Sequence, residues 1–199
     1  MAAGLNFSVE LVPGHTSGQV VYRLHVSPDS PDCLFTGDFL FVGGTGKLFE
    51  GNDARLLSSL LAVKSWQPNS LIFPSHEFAK ENLEFALTIE PDNVELSSKY
   101  VDVCDLRLAR LPAMPTTLED EFEYNPFLRL GKESLVKGLE NLGYVIPPAK
   151  THKGRTRLDS DVVDFNRKAQ ILRILRKAKE DYDAKKSKKS ASQNCLQRA

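Results

Sequence analysis

Three side chains that could bind metal ions follow predicted strands in the first part of this chain. His15 lies in a Pro-Gly-His-Thr-Ser-Gly loop, and Asp38 and His76 each come soon after an apolar run. Because ligand sites in layered α/β proteins lie at the carboxyl ends of strands, we expect the three side chains to lie together. Imidazole and carboxylate groups suit zinc, iron or manganese, and such a metal can activate water for hydrolysis.

Asp38 has the clearest need for a partner, because it follows an apolar strand directly and precedes Phe39. A carboxylate in such surroundings is costly unless it is paired or binds a cation. The remaining histidines have weaker cases. His25 lies within a predicted strand and His152 lies in a basic stretch, so we expect both to be structural or solvent-facing.

Alternating or uniformly apolar runs predict the strands that would position these groups. The predicted strands cover residues 7–11, 19–26, 33–36 and 71–73. Asn52 or Asp53 can cap a helix that continues to about Lys64. This order of strand, helix and strand indicates α/β layers.

Helical patterns dominate the chain after His76. The predicted helices cover residues 77–89, 92–111, 116–124 and 133–142, with a last one from Asp159 or Ser160. The polar end from Lys185 onward is predicted to be disordered. We therefore expect three parts: an α/β unit at 1–78, a helical unit at 79–145, and a basic linker, amphipathic helix and disordered tail at 146–199.

The net charge is zero, but the charges are unevenly distributed. Residues 1–146 carry 11 basic and 20 acidic side chains, whereas residues 147–199 carry 15 basic and 6 acidic ones. A solvated basic tail explains this difference, and the alternative is a contact with RNA, an acidic membrane surface or an acidic partner. Nucleic-acid binding is not expected, because no aromatic side chains are interleaved with the basic ones.

Several patterns bear on cellular location. No apolar run approaches the roughly 20 residues that span a bilayer, so no transmembrane segment is predicted. The start of the sequence has no basic region followed by a long apolar one, so it does not resemble a secretory signal. The three cysteines, Cys33, Cys104 and Cys195, are far apart, which fits a reducing compartment. We therefore expect an intracellular protein, cytoplasmic or mitochondrial.

Several motifs, in order along the chain, carry a resemblance to a known family. They include residues 13–18, 34–41, 46–51, 75–78, 115–121 and 124–129. Together they resemble glyoxalase II, the hydroxyacylglutathione hydrolase branch of the metallo-β-lactamase superfamily. The resemblance covers about residues 9–132. It implies the C-terminal half of the αββα metallo-β-lactamase sandwich, followed by an α-helical domain of the glyoxalase II type.

The resemblance also implies an activity and a metal centre. Members of this family hydrolyse the thioester S-D-lactoylglutathione to D-lactate and glutathione, using two divalent metals, zinc with iron or manganese as alternatives. The resemblance implies that His15 would bind the first metal, that Asp38 would bridge both metals as the catalytic carboxylate, and that His76 would bind the second.

Five further residues match family positions that contact the glutathione part of the substrate. Lys47 and Arg129, with Lys132 nearby, correspond to positions that bind the carboxylates and the backbone of glutathione. An arginine suits this role because its guanidinium can bind a carboxylate through two hydrogen bonds. Phe49 and Phe78 stand where the family has tyrosines, so each lacks a hydroxyl donor worth about 1 kcal/mol.

The family's His-x-His-x-Asp-His cluster is missing, and His15, Asp38 and His76 alone remain of the usual ligands. Three functions therefore stay open. The chain is a metal-dependent thioester hydrolase of the glyoxalase II type, a truncated and inactive member that acts as a binding or interaction module, or a hydrolase of another acyl thioester. Half a sandwich also predicts a poorly stable chain, because an unpaired sheet edge and an apolar face are exposed.

Overall fold

The computed structural model describes residues 4–149 and 157–196, with the side chains of the last helix described from 161 to 189. The strands are β1 Asn6–Leu11, β2 Val20–His25, β3 Cys33–Gly37, β4 Leu40–Phe41, β5 Gly44–Thr45, β6 Leu71–Pro74 and β7 Thr116–Thr117. The helices are α1 Asp53–Val63, α2 Ala79–Ile89, α3 Val94–Leu108, α4 Leu118–Tyr124, α5 Glu133–Asn141 and α6 Arg157–Leu196. The α/β class predicted from the sequence is confirmed.

Five strands form one sheet in the order β1-β2-β3-β6-β7, and β4 and β5 form a separate hairpin. Strands β3 and β6 pair in parallel, whereas the other neighbours in the sheet are antiparallel. Strand β7 was not predicted, and it shows that the mainly helical part beyond residue 79 also contributes to the sheet.

Helix α1 is the crossover that makes the parallel β3–β6 pair possible. It begins at the Asn52 cap, whose side chain accepts a hydrogen bond from the Arg55 amide. Its apolar stripe packs in one core with the inner face of the sheet. The fully buried members of that core include Leu34, Ile72, Leu56, Leu57 and Leu60. This crossover brings the ends of β3 and β6, and the residues that follow them, to the same edge.

Helix α6 packs against α1 and α5 through Ile171, Leu172 and Leu175, which are fully buried. It begins at Arg157, slightly earlier than predicted. The prediction of disorder from Lys185 is wrong, because the helix continues to Leu196. An ion pair between Lys186 and Glu84 of α2, 2.6 Å long, attaches this end of the helix to the body of the protein. Most of the predicted basic linker, including His152, lies outside the described residues.

Candidate active site

His15, Asp38 and His76 meet at the edge where β3 and β6 end. The Nε2 atom of His15 lies 3.2 Å from Oδ2 of Asp38. The Nε2 atom of His76 lies 3.5 Å from Oδ1 of the same carboxylate. The three side chains are 15%, 29% and 53% exposed in chain order. One partly exposed carboxylate is therefore shared by two imidazoles.

Backbone close to His15 fixes the orientation of its ring. Its Nδ1 lies 2.8 Å from the Lys47 carbonyl oxygen. Because a carbonyl only accepts, Nδ1 carries a proton and Nε2 is the atom that faces Asp38. Gly46 allows this approach, since a Cβ there would overlap the Asp38 carbonyl oxygen and press on the His15 ring. The Phe49 ring meets the His15 ring edge-on, with centroids 5.0 Å apart.

The loop that carries His15 is tied to the segment after β5. The Glu50 carboxylate accepts hydrogen bonds from the Ser17 amide, at 3.0 Å, and from the Ser17 hydroxyl, at 2.9 Å. These bonds, the one from the amide first, lower the pKa of Glu50. Asp38 is held from the other side, because the Ser75 hydroxyl donates to its Oδ1. Hydrogen bonds within the chain thus hold both loops in place.

The imidazole and carboxylate groups of His15, Asp38 and His76 meet some, but not all, of the requirements of a divalent metal site. Two ligands about 2.1 Å from one tetrahedral zinc ion lie roughly 3.4 Å apart, close to both imidazole–carboxylate distances. A metal-ligating histidine also commonly donates its other ring N–H to a carbonyl, as His15 does to Lys47. Each imidazole, however, faces a different oxygen of Asp38. Among the described residues, no group of three or more His, Cys, Asp or Glu side chains is placed to hold a metal ion.

A cavity of about 440 Å³ opens beside these groups. His15, Asp38 and His76 line it, together with Lys47, Phe49 and Phe78 from the predicted substrate-binding set. The Phe78 ring packs against the ring of His76, with centroids 5.1 Å apart, and meets the Phe41 ring edge-on. Six of the eight predicted site residues therefore share one cavity.

Helix α6 adds two cations to this cavity that the sequence did not predict, Arg176 and Lys179. Arg176 is only 7% exposed, and its Nη2 donates to the Thr45 hydroxyl, at 2.6 Å, and to the Thr45 and Gly46 carbonyls. Its Nε is buried and has no hydrogen-bond partner among the described residues. Burial lowers the pKa of Arg176 to about 10. Its guanidinium also lies over the Phe127 ring, 4.6 Å from the centroid.

One sequence signal could have indicated Arg176. It lies four positions after the buried Leu172, so it falls on the apolar side of an amphipathic helix, where a cation is not expected unless it has a buried partner. Lys179, one turn further along, is 15% exposed and lies 2.6 Å from Asp183, which also lines the cavity. An arginine and a lysine three positions apart thus border the same space.

Arg129 and Lys132 do not line this cavity. Arg129 is 9% exposed and forms two hydrogen bonds with the Glu90 carboxylate, of 3.0 and 2.9 Å. Lys132 is exposed and precedes the first turn of α5. Both border a different space between α2, α3 and α5. The structure therefore does not bring Arg129 and Lys132 into the cavity beside Asp38, and their role in substrate binding stays a prediction.

A buried carboxyl supports the β4–β5 hairpin beneath the cavity. Glu121 is fully buried and accepts hydrogen bonds from the Gly43 amide, the Asn125 side chain and the Tyr124 hydroxyl. Gly43 has a φ of 67°, the left-handed region that favours glycine. Asn125 also donates to the Phe41 and Gly44 carbonyls. Burial raises the pKa of Glu121 to about 7.

His25 lies away from this site. Its Nδ1 is 3.3 Å from Asp32 and its Nε2 is 2.9 Å from the Ser8 hydroxyl. Those contacts agree with the structural role predicted for it.

Comparison with known proteins identifies the family. Residues 77–182, more than half of the chain, match the family model described as hydroxyacylglutathione hydrolase C-terminus. The chain belongs to the hydroxyacylglutathione hydrolase family.

Curated relatives agree with this membership of the hydroxyacylglutathione hydrolase family. The hydroxyacylglutathione hydrolase of Synechococcus sp. (strain JA-3-3Ab) is 42% identical over 133 residues, which are 67% of this chain and 51% of that protein. The cytoplasmic hydroxyacylglutathione hydrolase of Arabidopsis thaliana is 37% identical over 148 residues, 74% of this chain and 56% of that protein. The chain thus spans about half the length of the curated relatives it matches.

Among solved structures, a metallo-β-lactamase from Staphylococcus aureus has some similarity to this chain. The TM-score is 0.45 at 18% identity, over 88% of this chain and 40% of that one. No helix among the described residues is both long and apolar enough to cross a membrane.

Proposed function

We propose that this protein hydrolyses a glutathione thioester of the hydroxyacylglutathione type in the cavity beside Asp38. One observation carries the proposal. The cavity is lined by the imidazole–carboxylate group of His15, Asp38 and His76 and by three cations, Lys47, Arg176 and Lys179, which outnumber the two further acidic side chains, Glu81 and Asp183. A thioester with carboxylates in its leaving group has complementary chemistry, namely a polarised carbonyl at one end and negative charge at the other.

Each side chain has a role in this proposal. Arg176 and Lys179 attract the carboxylates of the glutathione part, and Lys47 adds a third positive charge. The guanidinium is held in place by Thr45 and Gly46, so little freedom is lost when a ligand binds. Phe49 contacts the apolar parts of the substrate.

Membership of this family implies divalent metals, and we propose that His15, Asp38 and His76 would hold them, zinc first, with iron or manganese as alternatives. When bound, such metals supply a water that ionises near neutral pH and polarise the carbonyl oxygen. Ser75 and the Lys47 carbonyl keep Asp38 and His15 oriented for this task.

Hydrolysis of S-D-lactoylglutathione by zinc-equilibrated protein tests the proposal. We expect Asp38→Asn to lower kcat about a hundredfold, because the shared carboxylate is lost. Arg176→Lys should mainly raise KM, because a bidentate donor is lost. Asp29→Asn, in an exposed turn, is the matched control and should leave both constants unchanged. Activity that is equal in all four proteins would contradict the assignment.

A non-catalytic binding module is the second candidate, and one observation favours it. Each imidazole faces its own oxygen of Asp38, which leaves one histidine and one carboxylate oxygen for each cation. Metal content after equilibration with zinc distinguishes the two functions. A value near two per chain supports the hydrolase, whereas a value near zero, with glutathione still bound in calorimetry, supports the module.

A different acyl thioester is the remaining alternative. Phe49 and Phe78 present apolar rings that are 71% and 46% exposed at the cavity, where a hydroxyl donor would suit the polar glutathione backbone better. Acetyl-CoA, assayed beside lactoylglutathione, tests this alternative. Hydrolysis of acetyl-CoA alone would reject the glutathione assignment.

The proposal includes an intracellular location, cytoplasmic or mitochondrial. Cys33 and Cys104 are free thiols, which supports a reducing compartment. The basic side chains near the end of α6 fit an acidic partner better than nucleic acid, since no aromatic platform accompanies them. The three parts 1–78, 79–145 and 146–199 remain our proposed division of the chain.

A further inference from the structure

Asp183 is an acidic side chain of helix α6 that lines the cavity beside Asp38. It follows Arg176 by seven positions and Lys179 by four, so the three side chains lie on one face of the helix. All three line the cavity. The proposed hydrolysis uses the two cations but gives the carboxylate no role. A carboxylate that borders a site for carboxylate-bearing ligands must affect which ligands bind there.

An ion pair joins Asp183 to Lys179, four residues before it. The Nζ atom of Lys179 lies 2.6 Å from Oδ1 of Asp183. The lysine side chain is only 15% exposed, whereas the aspartate is 39% exposed. The ammonium also lies over the rings of Phe85 and Tyr182, 5.6 and 5.8 Å from their centroids. Packing and charge thus hold the ammonium beside the carboxylate, and its positive charge is compensated within the chain.

The same carboxylate acts on Arg176. Burial is the main influence on the pKa of Arg176 and lowers it to about 10, whereas nearby carboxylates, Asp183 among them, act in the opposite direction. The guanidinium already donates to Thr45 and Gly46. Asp183 therefore offsets part of the positive charge that both cations of α6 present to the cavity.

Positive and negative side chains balance in the lining of the cavity. Among the described residues that line it, the cations are Lys47, Arg176 and Lys179, and the carboxylates are Asp38, Glu81 and Asp183. Such a lining favours a ligand with little net charge. Glutathione has an ammonium beside its carboxylates and is of this kind. Coenzyme A is not, because its pyrophosphate and phosphate monoester carry several negative charges.

We propose that Asp183 determines specificity by keeping strongly anionic thioesters out of the cavity while it admits zwitterionic ones of the glutathione kind. The inference rests on the proposed function, because it concerns the leaving group of the same thioester. A phosphate that approaches Lys179 also approaches the carboxylate paired with it, so attraction and repulsion largely cancel. Repulsion between like charges is a common way for a site to reject a wrong ligand.

Calorimetric titration of the zinc-equilibrated protein tests the inference. The probes are S-methylglutathione and S-methyl coenzyme A, which contain no thioester and offer no free thiol to a metal. Asp183→Asn removes the charge with little change in shape. We expect its affinity for S-methyl coenzyme A to rise about tenfold, and its affinity for S-methylglutathione to change less than about twofold. The tenfold effect should shrink at high salt, because the groups are partly exposed.

Two further variants separate charge from structure. Asp164→Asn is the matched control, because Asp164 forms a 2.6 Å pair with Lys168 four positions away on the same helix, outside the cavity lining. It should leave both affinities unchanged. Asp183→Glu keeps the charge and should keep the preference of the unaltered protein. All three variants should unfold at nearly the same urea concentration as the unaltered protein, since pairs of this kind contribute little to stability.

Different results would overturn the inference and the proposed function. If S-methylglutathione binds but Asp183→Asn leaves the affinity for S-methyl coenzyme A unchanged, the inference is wrong and the proposed function stands. If Asp183→Asn weakens the binding of S-methylglutathione, the carboxylate binds the ammonium of the ligand, and the inference is also wrong. If S-methylglutathione binds to none of these proteins, the proposed function fails and the inference fails with it.

Discussion

Arg176 is the residue on which the proposed cavity most depends, because it joins helix α6 to the β4–β5 hairpin. We predict that Arg176→Gln lowers the free energy of unfolding by about 1–3 kcal/mol, since buried carbonyls lose their donor. Urea denaturation measures the change. Arg173→Gln is the control on the same helix, because Arg173 is 75% exposed and its pair with Asp53 should contribute less than about 1 kcal/mol. Equal losses in both variants would contradict the prediction.

Arg129 allows a sharper distinction between a structural and a substrate-binding arginine. Arg129→Gln leaves the buried Glu90 carboxylate unpaired, so we expect a loss of about 3–5 kcal/mol in the free energy of unfolding. Combining it with Glu90→Gln should restore part of that loss. KM should stay unchanged in the folded fraction of the single variant, since Arg129 does not line the cavity. A large rise in KM without loss of stability would return Arg129 to the substrate site.

Glu121 predicts a pH dependence of stability. Its pKa is raised to about 7 in the folded protein, so the folded state binds more protons than the unfolded state between about pH 4.5 and pH 7. The contribution of Glu121 to stability is thus fully present below about pH 4.5 and is lost as pH rises through 7. Glu121→Gln imitates the protonated form, because its amide can donate towards Tyr124 while its oxygen accepts from Gly43.

The measurement is the free energy of unfolding from pH 5 to pH 8. Relative to the unaltered protein, Glu121→Gln should gain stability as pH rises. Glu119→Gln, exposed on the same helix, should follow the unaltered protein. Parallel curves for Glu121→Gln and the unaltered protein would show that this carboxyl does not titrate differently on folding.

The apolar residues of helix α6 were predicted correctly from the sequence, whereas the disorder predicted for its C-terminal end was not found. The stripe follows from local periodicity, and it correctly includes Ile171, Leu172 and Leu175. The lysine-rich end looks disordered by composition. In the structure it is helical, and the ion pair of Lys186 with Glu84 of α2 and i,i+4 pairs such as Lys179 with Asp183 each add a small stabilisation.

Leu175→Ala tests how firmly α6 is packed. Leu175 is fully buried, so we expect a loss of about 2–5 kcal/mol, from the lost transfer free energy and the cavity that remains. Val162→Ala is the control, because Val162 is 51% exposed on the same helix. Thermal or urea unfolding measures both. A loss below about 1 kcal/mol at Leu175 would mean that α6 is only loosely attached.

The five-stranded sheet exposes apolar side chains on the face that points away from α1, among them Val9, Tyr22 and Phe35. The prediction of a poorly stable chain rests on this face and on the free edge of β1. We expect strong binding of an apolar dye and a broad thermal transition. A sharp cooperative transition with little dye binding would contradict the prediction.

The sequence alone determined features that depend on residues close together along the chain. Strand alternation and helical stripes are of this kind, and so is the Thr117 capping box that begins α4. His15, Asp38 and His76 could be expected to meet because strand ends share an edge. Only the tertiary structure decided that Arg176 reaches Gly46, 130 positions away, and that Arg129 pairs with Glu90. Those contacts depend on how helices pack against the sheet, which local periodicity does not encode.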